Sequence, residues 1–285
     1  MSTPWQPGCS LETLQRRAEL LSLLRTFFAE RQVLEVQTAV LAEHTVTDLH
    51  IESMAVGPHG YLQTSPEYQL KRLLAAGVPS LYQIGPVFRA GEVGRLHNPE
   101  FTLIEWYRLG FDDHRLMQEV ADLVDAVLGP APYRTMAYAD LVTDIEAPRE
   151  QLDLEVALRI EALASSQPHE RVFITDYPAD QAALARVREN DPRVAGRFEL
   201  TVQGIELANG YWELGDAAEL RARFERDNAR RAARGLPTMP LDERFLDAMA
   251  AGLPDCAGVA LGVDRLVMLA LHAEGLAEVM PFAER

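Results

Sequence analysis

The sequence contains little cysteine, and the cysteines form none of the patterns that build a disulfide framework or a zinc site. Cys9 and Cys256 are the two cysteines among 285 residues, and neither belongs to a Cys-x-x-Cys motif or a Cys/His cluster. Disulfide frameworks and structural zinc sites need several cysteines at suitable spacings. We therefore expect two free thiols.

Long apolar runs and an export signal are also missing. A membrane-spanning helix needs a run of about 18 apolar residues, and the sequence has none. The start, Met1-Ser2-Thr3-Pro4-Trp5, lacks the basic and then apolar order of a secretory leader. These absences predict a cytoplasmic protein that does not enter a membrane.

Positive charge is scarce. The 27 Lys and Arg residues are outnumbered by 43 Asp and Glu residues, which gives a formal net charge of -16. Such a surface repels polyanions at long range, so nonspecific nucleic-acid binding is disfavoured. An arginine-rich stretch over 223–234 alternates with acidic residues, and we interpret it as a solvated helix face, with a local basic patch as the alternative.

Amphipathic stretches predict several helices. Apolar residues recur at helical spacing from Leu11 to Arg31, Ser10 is placed to cap the start, and a loose tail is expected over 1–10. Ser65-Pro66-Glu67 predicts the start of a second helix. Further helices are expected over 113–128, 152–165, 179–187, 217–234 and 241–250, and from Asp264 onward.

Segments rich in β-branched residues predict strands between these helices. Strands are expected over 33–41, 51–56 and 259–261, and two hairpins pair 81–89 with 101–109 and 197–202 with 205–214. Hairpins and helices mix without a regular βαβ alternation, so the sequence predicts an α+β domain around a mostly antiparallel sheet. One large domain is expected, with two as the alternative.

The first hairpin encloses charged residues that suit a nucleotide. Arg89 ends its first strand, and Glu92, Arg95 and His97 lie in the loop before its second strand. Guanidinium groups match phosphate oxygens, and carboxylates accept hydrogen bonds from an exocyclic amine. The alternative is a charged surface hairpin.

A glycine-rich stretch, 258–266, predicts a strand that turns into a helix. Small residues let a ligand approach the strand, and Arg265 in the first helical turn can clamp a nucleotide. Asp264 is placed to cap the helix. Because such turns are common, an ordinary strand-to-helix connection is the alternative.

The second hairpin carries two acids that suit a divalent cation. With Gln203-Gly204 or Val202-Gln203 as its turn, Glu199 and Glu206 fall on one face, either opposite or diagonal. Paired carboxylates suit Mg²⁺ bound to substrate phosphates. Two solvated acids are the alternative.

Alternating residues on both hairpins form a third group. Asn209, Tyr211 and Glu213 share a strand face, and Glu105 and Tyr107 have the same spacing on the earlier hairpin. Acids that converge with phenols predict a pocket for an amine-bearing cation. Glu206 and Asn209 have opposite parity, so we expect a β-bulge near 208–210 to bring both onto one face.

Taken in order, these motifs resemble the catalytic domain of lysyl-tRNA synthetases. They resemble more closely the short paralogues of those enzymes, which ligate (R)-β-lysine to elongation factor P. The resemblance extends over about residues 11 to 282. It rests on Thr64-Ser65-Pro66-Glu67-Tyr68, Phe88-Arg89, His97-Asn98-Pro99-Glu100-Phe101, Glu199, Gly204-Ile205-Glu206-Leu207-Ala208-Asn209-Gly210, Arg231-Ala232-Ala233-Arg234-Gly235-Leu236-Pro237 and Gly262-Val263-Asp264-Arg265.

The resemblance implies a class II synthetase catalytic domain over 11–285, with ATP and Mg²⁺ as substrate and cofactor. It implies catalytic roles for Arg89 on the α-phosphate and Arg265 on the γ-phosphate. The further ATP contacts that it implies are Glu92, His97, Asn98 and Glu206, and the metal ligands are Glu199 and Glu206. The implied amino-acid pocket comprises Glu67, Glu105, Tyr107, Asn209, Tyr211, Glu213 and Ala260.

The resemblance also implies partners: (R)-β-lysine or lysine, elongation factor P as the acceptor, and a second copy of the chain in a homodimer. Since no anticodon-binding domain precedes the catalytic pattern, tRNA is not expected as a partner. The chain departs from the family pattern at Gly91, where glutamate is usual, and at Ala39, where proline is usual. A lysine ligase directed at tRNA or a small molecule and a catalytically silent paralogue are the alternatives.

Overall fold

The computed structural model describes residues 5–284. Seven α-helices lie within this part of the chain: α1 (Leu11–Glu30), α2 (Glu67–Ala75), α3 (Asp113–Leu128), α4 (Arg149–Ser166), α5 (Ala217–Ala233), α6 (Glu243–Gly252) and α7 (Val263–Ala270). None of these helices combines the length and apolar composition needed to cross a membrane.

The strands are β1 (Leu34–Glu35), β2 (Leu41–Ala42), β3 (Tyr61–Leu62), β4 (Leu81–Phe88), β5 (Glu100–Leu109), β6 (Tyr133–Ala137), β7 (Arg171–Pro178), β8 (Val187–Arg188), β9 (Asp191–Val202), β10 (Ile205–Trp212) and β11 (Cys256–Gly262). Nine of the strands assigned in residues 5–284 belong to one mixed, mostly antiparallel sheet, while β2 and β3 pair separately. The expected α+β class is confirmed.

The chain divides into two compact units. The first comprises Met1–Trp106, Gly215–Pro254 and Gly262–Arg285. In it, β1 pairs in parallel with β4, and β5 is the next strand. Phe28 of α1 stacks on Tyr82 of β4 with ring centroids 4.5 Å apart. Ser10 caps α1 by accepting from the Thr13 amide, as predicted.

The second unit comprises Tyr107–Leu214 and Asp255–Leu261. Its strands follow the order β11-β10-β9-β7-β6, with β8 beside β9. The hairpin β9–β10 was expected from sequence, although β9 begins earlier than predicted. Helix α4 covers an apolar cluster that includes Tyr138, Ile174 and Tyr177.

Several predictions of secondary structure were wrong. Residues 51–56 contain an isolated bridge at Ala55 in place of a strand, and 33–41 contributes only the two residues of β1 before β2 begins. Residues 179–187 form a 3₁₀ turn and then an irregular segment. That segment is not helical because Arg186 N–H bonds to the Trp212 carbonyl and Leu184 accepts from Leu214 N–H.

Two further interpretations need correction. The helix that carries Arg265 is capped by Gly262 without a side-chain bond, because the Asp264 carboxylate instead accepts from the Thr102 amide. In the arginine-rich stretch, Arg223 and Arg231 are buried, so the solvated face is limited to the remaining arginines. Arg231 donates to backbone carbonyls, among them that of Asp48.

The tail expected over 1–10 lies partly outside the described residues. Within the described part, Gly8 N–H donates to the Pro281 carbonyl at 2.7 Å, and Cys9 is buried. Cys256 is the other buried free thiol, so the two cysteines are unpaired as expected.

Candidate active site

In the first unit, Arg89 directly follows β4. Its guanidinium lies over the Phe101 ring, 5.1 Å from the centroid, and its Nη1 is 3.7 Å from Glu92. The Nε atom is buried and has no hydrogen-bond partner among the described residues. Since a buried donor without an acceptor is costly, this guanidinium suits an anionic ligand that supplies one.

Gly91 follows in the same loop and has a left-handed backbone, with φ of +75°. Glycine adopts that region freely, whereas glutamate would be strained there. The departure from the family pattern at position 91 therefore agrees with the local backbone. Glu92 comes directly after this turn, and its carboxylate lies 3.7 Å from Arg89 Nη1.

Arg265 and His97 form the second charged group of this unit. Arg265 donates from Nε to the Leu96 carbonyl at 3.2 Å, and its Nη2 lies 3.0 Å from His97 Nε2. Burial, and then the positive charge of Arg265, lower the pKa of His97 from its usual value. A neutral imidazole can accept from the guanidinium, so the pair is electrostatically consistent at neutral pH.

Asp264 anchors the start of α7. Its carboxylate is buried, accepts from the Thr102 amide at 2.6 Å and forms an ion pair with Arg17 at 2.6 Å. These contacts fix the first turn of α7 against β5 and α1. Asp264, the preceding residue, therefore helps to fix the position of Arg265.

Ser65 joins Glu67, at the start of α2, to Glu105 of β5. The Ser65 hydroxyl donates to Glu105 Oε2 at 2.6 Å and accepts from the Glu67 amide at 3.1 Å. Glu67 also pairs with Lys71 one helical turn later, at 2.6 Å. Two of the acids expected in the amino-acid pocket are thus tied to one hydroxyl.

In the second unit, the hairpin β9–β10 turns at Gln203-Gly204. Both residues have positive φ, +52° and +77°, which is the backbone of a type I′ turn. Glu206 lies opposite Thr201 and is therefore diagonal to Glu199 on the same face. The register then shifts between Glu206 and Ala208, so the predicted bulge is present, with its shift just before 208–210.

The bulge places Asn209 opposite Glu199. Asn209 Nδ2 donates to Glu199 Oε1 at 3.1 Å, and Arg197 Nη2 donates to the same oxygen at 2.6 Å. Asn209 Oδ1 is buried without a hydrogen-bond partner in the described chain. Burial, and then the charge of Glu199, raise the pKa of Tyr177 well above its usual range, so this phenol beside the acid stays protonated.

Glu199 and Glu206 both line a cavity of about 310 Å³ in the second unit. Arg197 also lines this cavity, as do Tyr138 and, from α4, Asp153. Groups of three or more His, Cys, Asp or Glu side chains that could hold a metal ion are absent from the described residues. On the hairpin, Glu199 and Glu206 offer two carboxylates to a cation, and substrate phosphates and water would supply the other ligands.

Glu213 and Tyr107 meet at Gly258. A methyl group on Gly258 would lie 2.3 Å from Tyr107 Cε1 and 2.5 Å from Glu213 Oε1. Both side chains are buried, with 2% and 1% exposure, so a carboxylate and a phenol ring face one glycine of β11. Such a carboxylate can pair with a ligand ammonium out of contact with water.

The register of β10 with β11 places Ala260 and Tyr211 on the same face of the sheet. Ala260 is paired with Asn209, and Gly258 is paired with Tyr211. Directly paired residues of antiparallel strands point to one side of a sheet, so these residues share the face that bears Glu199. The expected pocket residues of the second unit therefore lie on one surface.

Asn98 differs from the other expected ATP contacts. It is buried, its Nδ2 donates to the Glu100 carbonyl at 2.6 Å, and its Oδ1 accepts from the Glu284 amide at 2.8 Å. Both ends of the amide therefore stabilise the loop. Its contact with ATP remains a prediction.

Sequence reasoning missed Arg197, Ser65 and Lys71. Each has a spacing that could have indicated it: Arg197 is two residues before Glu199 on one strand face, and Lys71 is one helical turn after Glu67. Ser65 was recognised within a motif but was not assigned to the site. Its link to Glu105 is long-range in sequence and required the structure.

A family model described as tRNA synthetases class II (D, K and N) matches residues 9–285, so the chain belongs to that family. Because it belongs to this family, the chain is a ligase, and synthetases of this family use ATP in general.

Relatives from Salmonella gallinarum, Salmonella paratyphi B and Salmonella heidelberg are each named Elongation factor P--(R)-beta-lysine ligase. Each is 47% identical over 314 aligned residues, which cover 98% of this chain and 97% of the relative.

Proposed function

We propose that this chain activates (R)-β-lysine with ATP and transfers the β-lysyl group to a lysine side chain of elongation factor P. Similarity to the relatives along nearly the whole chain supports the choice of substrate and acceptor. The structural observation that carries the proposal is the buried Glu213 carboxylate beside Tyr107, at a glycine that leaves no room for a side chain.

The proposed reaction has two steps. A carboxylate oxygen of the amino acid attacks the α-phosphorus of ATP in line, and pyrophosphate leaves. The acceptor amine, as its neutral form, then attacks the carbonyl carbon of the adenylate, and AMP leaves while the amine loses a proton. Because the enzyme forms no covalent intermediate, its contribution is positioning and charge stabilisation.

The nucleotide is assigned to the charged groups of the first unit. Arg89 suits the α-phosphate because its buried Nε lacks an acceptor. Arg265 suits the γ-phosphate, since the Leu96 carbonyl and neutral His97 hold its guanidinium in place. Glu92 and Asn98 complete the proposed contacts, and planar guanidinium groups match phosphate oxygens in a fixed geometry.

Mg²⁺ is assigned to Glu199 and Glu206. Two hard oxygen donors on one wall of a cavity fit an ion that keeps several waters and takes other ligands from substrate phosphates. When bound, Mg²⁺ would neutralise phosphate charge. Arg197 and Asn209 hold the Glu199 carboxylate in position, both through its Oε1 atom.

The amino acid is assigned to Glu67, Glu105, Tyr107, Asn209, Tyr211, Glu213 and Ala260. Glu213 and Tyr107 would receive the side-chain ammonium, because a buried cation requires a compensating carboxylate. The orphaned Oδ1 of Asn209 is an acceptor for the substrate's other amine.

Pyrophosphate exchange and acceptor labelling test this proposal together. The purified protein should exchange pyrophosphate into ATP when (R)-β-lysine is added, and should then label elongation factor P. It should leave tRNA unlabelled, because the acidic chain repels a polyanion. Exchange without labelling of elongation factor P would reject the acceptor, and no exchange with either lysine isomer would indicate a silent paralogue.

The oligomeric state and the cellular location are two further expectations of the same proposal. The chain should form a homodimer, which sedimentation measures directly, and it should act in the cytoplasm. A monomer with full activity would reject the first expectation.

A further inference from the structure

Lysine is almost absent from the chain. Lys and Arg together number 27, of which Lys71 is the one lysine, which leaves 26 arginines. The proposed function, on which this inference rests, produces an activated amino acid whose target is a lysine side chain. The composition therefore bears directly on the chemistry.

The one lysine is withdrawn from the surface. Lys71 is 0% exposed, and its Nζ donates to Glu67 Oε1 at 2.6 Å. An ammonium group that is held in an ion pair carries its lone pair as an N–H bond and cannot attack a carbonyl carbon. Burial adds a steric barrier to any activated amino acid in solution.

The exposed cations of the chain are arginines. The side chains of Arg193, Arg244 and Arg16 are 85%, 69% and 61% exposed. Each still forms an ion pair with an acidic neighbour, as lysine could. A guanidinium remains protonated in proteins, whereas an exposed lysine with a pKa of about 10.4 has a reactive neutral fraction at every working pH.

Self-modification would follow the same chemistry as the proposed transfer. A neutral lysine amine attacks the adenylate carbonyl carbon, the bond from that carbon to the phosphate oxygen breaks, and AMP leaves with the electron pair. The amine gives its proton to water and an amide bond forms. No further reactant is needed, so exposed lysines on an enzyme that releases its adenylate compete with the true acceptor.

We propose that the use of arginine for the surface cations, together with the burial of Lys71 against Glu67, leaves this chain without a side-chain amine that the activated amino acid it produces can modify. Selection of the acceptor then has two parts: elongation factor P is recognised, and the enzyme offers no competing side-chain amine. The surface keeps its positive charges and ion pairs without lysine amines.

A lysine-bearing variant tests the proposal. Arg16→Lys, Arg193→Lys and Arg244→Lys are combined in one protein, and the matched control carries glutamine at the same three positions. Each protein is incubated with ATP, Mg²⁺ and (R)-β-lysine without elongation factor P, and peptide mass spectrometry locates any β-lysyl group. A parallel arm adds preformed β-lysyl adenylate, so labelling is measured even if the chain activates no amino acid.

We expect β-lysyl groups on the introduced lysines and none on Lys71 in any of the three proteins. The ratio of the labelling rate of the introduced lysines to the rate of pyrophosphate exchange should rise about tenfold per pH unit below their pKa. Peptide mapping separates this signal from the α-amino group at the start of the chain. Labelling of Lys71 in the parent protein, or unlabelled lysines at positions 16, 193 and 244, would overturn the proposal. Absent exchange with normal labelling by preformed adenylate would reject only the proposed function.

Discussion

Arg265 Nη2 lies 3.0 Å from His97 Nε2, and the imidazole that accepts this contact has a lowered pKa. Protonation of His97 would remove the acceptor and place a second positive charge beside the guanidinium. The pair therefore should make the proposed nucleotide site sensitive to acid.

Acid should also lower the stability of the fold. The native pKa of His97 is lowered, while the unfolded chain takes up the proton near the usual value of about 6.5. Between those two pKa values the unfolded state binds more protons, so the free energy of unfolding decreases as pH falls through this window. Urea unfolding of the parent protein and of His97→Gln measures the difference. The variant should lose this part of the pH dependence, and identical pH profiles would show that His97 is not its source.

Gly258→Ala should damage the amino-acid pocket. The new methyl would lie 2.3 Å from Tyr107 and 2.5 Å from Glu213, so both side chains or the strand must move. Overpacking of this kind costs about 1–3 kcal/mol, and we expect the KM for the amino acid to rise more than the KM for ATP. Steady-state kinetics of pyrophosphate exchange provides both values.

The matched control for this change is Gly215→Ala. A methyl at position 215 meets Leu253 at an ordinary 3.6 Å, and its backbone is not left-handed. This variant should keep the parent kinetics. Equal kinetics for both variants would place the amino-acid pocket elsewhere.

Glu206→Gln should raise the Mg²⁺ concentration that gives half-maximal exchange. The substitution keeps the shape of an exposed side chain and removes one of the two hairpin carboxylates that line the cavity. Hard cations prefer charged oxygen ligands, so affinity decreases while the fold is retained. Glu189→Gln removes an equal charge from another exposed position of the second unit and should leave the titration unchanged. An unaltered Mg²⁺ titration for Glu206→Gln would move the metal to other residues.

Ala260→Gly should relax selectivity toward α-lysine. Ala260 is paired with Asn209, whose Oδ1 is the proposed acceptor for the substrate's second amine. A methyl here penalises an amine next to the carboxylate more than one a carbon further along, and a misfit of this size is worth roughly 10- to 200-fold in selectivity. Comparison of kcat/KM for the two isomers on both proteins measures the effect. A constant ratio would show that another residue discriminates.

The β9–β10 hairpin shows what sequence could predict. Alternation along a strand is strictly periodic, so the opposite parity of Glu206 and Asn209 required a bulge if both were to face one ligand. The structure has that irregularity between Glu206 and Ala208. The order of the motifs likewise predicted the class of fold, because each motif is local.

Other features depended on contacts between distant segments. Residues 179–187 have helical composition, yet their backbone groups bond to the end of β10 and the segment packs through Ala182 and Ala185. Asp264 has the spacing of a helix cap, but the Thr102 amide and Arg17 occupy its carboxylate. Local propensity cannot reveal a partner that lies far away in sequence.

The bulge between Glu206 and Ala208 also determines where this hairpin can vary in length. Deletion of Leu207, which has no partner in the register, would leave Glu206 opposite Thr201 and Asn209 opposite Glu199, whereas deletion of a paired residue would shift the acid and the amide out of register. The turn at Gln203-Gly204 has no such constraint beyond two left-handed residues, and Asn-Gly would serve equally well. An engineer could therefore graft a new turn onto this hairpin while the two acids and the amide keep their common face.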